Sequence, residues 1–153
     1  MRQKKGFSIV EVVLVMALIG ILAVFGIPSF INAKRNLDLK GVVRNIAVAL
    51  NMAKTLSFRQ GPIAVEFDDN EIKVCKDQDK DGRCGDLIQK ISVPSDINLD
   101  KNFNEFYFEK GLPKLPNGAF AAGTITISHT KTNKCFEIIF NSTGRVRIDD
   151  CPE

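Results

Sequence analysis

Apolar and polar positions follow three successive patterns along the chain. From Val12 through Ala33 no side chain is charged. At about 1.5 Å per residue, such a run can cross a hydrocarbon core of roughly 30 Å, so it predicts a membrane-spanning helix. Next, Leu39, Val43, Ile46, Leu50 and Ala53 recur at spacings of four and three, with Lys40, Arg44, Asn51 and Lys54 on other faces. That spacing predicts an amphipathic helix ending near Gln60, where Gly61 and Pro62 supply a stop. Its apolar stripe is read as packing on the protein's own sheet rather than on a cofactor. After Pro62 the pattern changes to short β-rich stretches: 63–67, 72–75, 87–93, 124–128, 135–140 and 145–148. Asp68-Asp69-Asn70, Thr132-Asn133 and Asn141 to Gly144 read as turns. The Pro- and Asn-rich stretch 94–123 has no legible topology, and its Phe103, Phe106, Tyr107 and Phe108 are assigned to a core rather than to a base-stacking platform. The fold class is α+β, a long N-terminal helix packed against a C-terminal antiparallel β-sheet domain.

The flanks of the apolar run give it a direction. Arg2, Lys4 and Lys5 precede it, so the positive-inside rule holds the first residues in the cytoplasm and sends the rest outward. A secretory signal peptide would have an apolar region of about 7 to 15 residues and a small-x-small cleavage site, and this run is longer and has no clean site of that kind. A plain membrane anchor does not explain Glu11, a single carboxylate near the start of the run. Such a group costs about 2.5 to 3.5 kcal/mol in the bilayer centre and usually has a partner.

Lys5-Gly6-Phe7-Ser8-Ile9-Val10-Glu11, followed by Gly20, Pro28 and a long helix, resembles the class III signal of type IV prepilins. The resemblance implies cleavage by a prepilin peptidase after Gly6 and N-methylation of the exposed Phe7. It implies an assembly role for Glu11, opposite the terminal amine of a neighbouring subunit. It divides the chain into a leader, 1–6, a transmembrane and polymerisation half-helix, 7–33, an amphipathic half-helix, 34–60, and a β-rich domain, 61–153. The implied location is the inner membrane, single-pass, with the C-terminal domain in the periplasm and later in a filament. The implied partners are the peptidase, other pilin or pseudopilin subunits and an inner-membrane assembly platform. Gly20, Gly26 and Pro28 weaken the helix locally, which predicts a bend or local melting.

Composition narrows the remaining choices. At 153 residues the chain holds one compact domain and an appendage, and a net charge of +3 does not by itself imply nucleic-acid binding. Four cysteines allow three connectivities, of which the sequence-local one, Cys75 with Cys84 and Cys135 with Cys151, closes a short loop each time. Zinc is disfavoured, because there is no Cys-x-x-Cys pair and His129 is the lone histidine.

The order of parts, with 53–60 closing the helix and Ile139 to Arg147 closing the chain, is similar to the GspH/FimT group of minor pilins and pseudopilins. FimT-like members are implicated in DNA uptake and carry a Gly-Arg-x-Arg motif, which maps to Gly144, Arg145, Val146 and Arg147. Strand alternation would put Arg145 and Arg147 on one face toward successive phosphates of double-stranded DNA, with Lys131 and Lys134 adding to the same field. The competing reading is a solvated edge strand protected by charge.

Asp77, Asp79 and Asp81, followed by Gly82, match the first half of a calcium loop, but the twelfth position is Ile88 rather than glutamate. A solvated Asp-rich turn competes with calcium there, and no cofactor is firmly implied. No nucleophile–base set or phosphate loop is visible, so an anchored enzyme is a remote alternative and a major pilin a nearer one.

Overall fold

The structure, a computed structural model, describes residues 8–68, 70–103, 105–132 and 134–152. The leader 1–6, with the predicted cleavage and methylation positions Gly6 and Phe7, lies outside the described residues. So do Asp69 and Asn133 of the predicted turns. The chain divides into two units, Met1–Arg35 and Asn36–Glu153, with the helix α1, Ile9–Arg59, shared between them.

In the first unit, α1 starts where the Ser8 carbonyl accepts the N–H groups of Glu11 at 3.0 Å and Val12 at 3.2 Å. Glu11 thus sits in the first turn, where the helix dipole favours a carboxylate. α1 then runs without interruption through Gly20, Gly26 and Pro28.

In the second unit, α1 buries Leu39, Val42, Val43, Ile46, Ala47, Ala49, Leu50, Ala53 and Ser57. It ends at a glycine, Gly61, whose φ of 89° lies in the left-handed region that terminates many helices. Nine strands follow: β1 Ile63–Phe67, β2 Glu71–Lys76, β3 Asp86–Ser92, β4 Ile97–Lys101, β5 Glu105–Glu109, β6 Leu112–Lys114, β7 Gly123–His129, β8 Cys135–Phe140 and β9 Val146–Asp150. All their pairings are antiparallel, but they form two sheets rather than the single one expected, in the orders β3-β2-β1-β5-β6 and β4-β7-β8-β9. The reason lies in the stretch without legible topology. It supplies β4, which pairs with β7 in the second sheet, and β5 and β6, which extend the first sheet beyond β1.

Alternation in β1, β2 and β5 sends Ile63, Val65, Val74, Phe106 and Phe108 into one core with the α1 stripe and with Ile125, Ile127, Ile138 and Phe140 of the second sheet. Phe106 stacks on Phe140 with ring centroids 4.7 Å apart, and Phe103 meets Phe67, Phe106 and Phe140 edge-on. The aromatics of 103–108 therefore join the two sheets. The opposite face of β1, β2 and β5 holds Ala64, Cys75 and Tyr107, also buried.

Candidate functional site

From Val12 to Ala33, within the first unit, α1 carries no charge on any side. An 18-residue stretch has a mean hydropathy of 2.8 and none of it is buried. Phe25 and Phe30 are 76% and 73% exposed. A helix that is apolar all round is made for lipid or for other helices of its kind.

The second candidate is the β8–β9 hairpin. Arg145 and Arg147 line one shallow recess with Ile139 and Asn141, and both are exposed. Two details differ from expectation. β9 begins at Val146, so Arg145 lies in the turn, held where its backbone N–H donates to the Asn141 side-chain oxygen at 2.9 Å. Arg147 is paired with Asp149 on the same face at 2.5 Å. The predicted contribution of Lys131 and Lys134 is not met, because their turn joins β7 to the opposite end of β8. Six strand residues, about 20 Å, separate it from Arg145, more than twice the screening length in physiological salt. Lys131 faces Asp96 at 3.5 Å.

Gly144 of the same motif has a structural task. Its φ is 74°, and a Cβ there would stand 2.3 Å from the Gly111 carbonyl oxygen. Lys54 Nζ donates to the Gly144 carbonyl at 2.8 Å, and the Gly111 N–H donates to Ser57 Oγ at 2.8 Å. The C-terminal end of α1 therefore ties the β5–β6 turn of one sheet to the β8–β9 turn of the other. Sequence reasoning missed this junction. The signal available was two glycines in turns and a serine inside an apolar helical stripe.

The third candidate is the acidic loop after β2, which lines a recess with Asp77, Asp79, Asp81 and Asp86. Asp77 is buried, and its carboxylate accepts the N–H groups of Asp81 at 3.2 Å and Gly82 at 3.0 Å. Burial pushes its pKa up, against the pull of those donors. Asp81 accepts the Arg83 N–H, and Asp79 is exposed. Of the two readings of this loop, the geometry lends support to the solvated turn: among the described residues, no three carboxylate, imidazole or thiol side chains converge as metal ligands. The physical reason is that the loop turns its best-placed carboxylates onto its own backbone. The loop is braced instead by the Cys75–Cys84 disulfide, by Lys80–Glu109 at 2.5 Å and by Arg83–Glu105 at 3.3 Å. Lys114 and Lys80 together hold the Glu109 carboxyl down to about 2. The second disulfide, Cys135–Cys151, joins the start of β8 to the end of the β9 segment, so both sequence-local pairs are formed.

Comparison with known proteins starts at the N-terminus, where residues 1–27 match the prokaryotic N-terminal methylation motif. Over 121 residues the chain is 30% identical to the type II secretion system core protein G of Vibrio cholerae serotype O1, an alignment spanning 77% of this chain and 68% of that protein. The chain belongs to the type IV pilin-like family. Two solved structures share the pilin fold. The minor pseudopilin EpsH from the type 2 secretion system of Vibrio cholerae aligns with a TM-score of 0.54 at 13% identity, over 74% of this chain and 97% of that one. The type IV minor pilin FimU of Pseudomonas aeruginosa aligns with a TM-score of 0.58 at 12% identity, over 74% and 90%.

This pilin-like chain is therefore a subunit of a pilus or pseudopilus, a structural protein rather than an enzyme. Its apolar helix and prepilin motif fit inner-membrane anchoring, and its family membership implies contact with other pilin subunits and with the assembly machinery. Of the three candidates, the exposed half of α1 is the one whose chemistry matches that role directly.

Proposed function

We propose that this chain is a minor pilin or pseudopilin that waits in the inner membrane with its C-terminal domain in the periplasm. It then joins or primes a filament by moving the first half of α1 from lipid into a bundle of like helices. The observation that carries this reading is the wholly exposed apolar helix, which is stable only among lipids or other apolar helices. Prepilin peptidase removes residues 1–6 after Gly6, and Phe7 becomes an N-methylated terminus. Glu11 then offsets a neighbouring subunit's terminal ammonium and fixes the stagger between subunits, since an unpaired carboxylate in an apolar core is costly. The missing backbone donor at Pro28, together with Gly20 and Gly26, allows this half of the helix to bend or extend in the polymer.

The test is co-expression of the full chain with and without a prepilin peptidase, followed by intact mass and N-terminal sequencing. The expected product begins at a methylated Phe7, and a chain still beginning at Met1 in cells with active peptidase overturns the reading. Glu11→Ala should leave processing intact and cut filament incorporation roughly a hundredfold, the equivalent of about 2.5 to 3.5 kcal/mol.

A second reading, contact with duplex DNA, rests on Arg145 and Arg147 sharing one exposed recess. Asp149 halves the charge on that face, so the contact is weak and salt-dependent. Changing both arginines to alanine should reduce the salt dependence of binding by about two phosphate contacts. Unchanged affinity rejects this reading.

A further inference from the structure

The lysines that do not join the arginine field have a different neighbour. Lys134, at the exit of the β7–β8 turn, lines one recess of about 530 Å³ with Lys40 of α1, 94 positions away in the chain. Phe136, Pro152 and the Cys135–Cys151 disulfide form its less polar wall, and Asp150 sits at its edge. Among the described residues, neither Lys40 nor Lys134 is in an ion pair.

From these features we infer that the Lys40–Lys134 recess is a docking surface for the membrane on which the subunit waits, taking the phosphate of an anionic phospholipid headgroup. Two ammonium groups from separate elements supply the charge. Phe136 and Pro152 offer an apolar wall to the glycerol end of the lipid. Chain connectivity limits the distance: Lys40 is seven residues after Ala33, the last residue of the uncharged run, so it lies within about 25 Å of the end of that run. A tether this short keeps headgroups within reach of the recess at high local concentration, as it would not a ligand free in solution. Lysines close to an anionic leaflet gain measurable attraction, and it fades within a Debye length. The contact would hold the β-rich domain against the membrane before assembly and be given up when the subunit leaves.

The inference rests on the membrane-anchored reading of the chain, and the experiment separates the two. The full chain is reconstituted in phosphatidylcholine bilayers with and without phosphatidylglycerol, and amide hydrogen exchange is followed in the β7–β8 turn and around Lys40. Flotation with the vesicles reports the anchor separately. The expected result is that phosphatidylglycerol slows exchange at these segments, and that Lys40→Gln with Lys134→Gln weakens the protected state about thirtyfold while flotation is unchanged. Arg145→Gln, at the far end of β8, should leave the protection as it was. Three results would overturn the inference: equal exchange in the two bilayers, equal protection in the double variant, or an Arg145→Gln loss as large as that of the double variant. A chain that fails to float would instead remove the anchored reading.

Discussion

Between Val12 and Ala33, α1 is uncharged on all sides, and its 18-residue apolar stretch buries none of them. Between Leu39 and Ser57, the same helix carries a polar face and buries a stripe that shares one core with both sheets. Apart from the donor missing at Pro28, both halves belong to one helix, so the difference lies in where the partners come from. The second half finds them within its own chain, and its packing can be read residue by residue. The first half has them only in lipid or in other copies. Substitutions in the two halves should therefore register in different experiments.

The largest effect expected from this contrast is in the core. Phe106 is wholly buried and stacks on Phe140, so Phe106→Ala should lower the unfolding free energy of the second unit by about 3 to 5 kcal/mol, measured by denaturant titration of the full chain in detergent. Phe25→Ala removes a ring that is 76% exposed and should leave that titration unchanged while lowering filament incorporation. A Phe25 variant that destabilises the second unit would break the comparison.

Legibility in the sequence follows the same division. The two halves of α1, both disulfides and six strands rest on periodicity, turn residues or loop closure, which are local signals. β1 and β8 fall at the expected residues, Ile63–Phe67 and Cys135–Phe140. What stayed hidden depends on distant partners. β4, Ile97–Lys101, has one buried side chain and owes its place to pairing with β7, so no alternation announces it. The separation into two sheets is decided by β5 choosing β1 as its neighbour. At the candidate sites, residue types were visible but their company was not. Arg147 meets Asp149 two positions on, Lys134 lines a recess with Lys40 instead of Arg145, and Asp77 turns its carboxylate onto the backbone of its own loop.

The junction at the C-terminal end of α1 sharpens the contrast, because it depends on a backbone shape rather than on apolar area. Gly144→Ala should cost about 1 to 3 kcal/mol, since the residue has a positive φ and a Cβ would press on the Gly111 carbonyl. Gly61→Ala, also at positive φ but with open space around it, should cost about 1 kcal/mol. Equal losses in thermal or denaturant unfolding would mean that the close approach contributes nothing. Ser57→Ala should cost about 1 to 2 kcal/mol by leaving the Gly111 N–H buried without its acceptor.

The smallest effect should come from the charges that brace the acidic loop, and its sign follows from Glu109. Lys114 and Lys80 lower this carboxyl to about 2, below its value in an unfolded chain. Its contribution is therefore fully present above the unfolded value and is lost as pH falls from the ordinary carboxylate range toward 2. Lys80 is about half exposed, so screening keeps the gain to about 1 kcal/mol or less. Glu109→Gln should flatten that part of the stability–pH curve, and added salt should shrink the wild-type slope. A slope that survives in Glu109→Gln would assign the acid sensitivity to other carboxylates, with Asp68 and Glu71, both lowered by lysine partners on β2 and β3, the next to test.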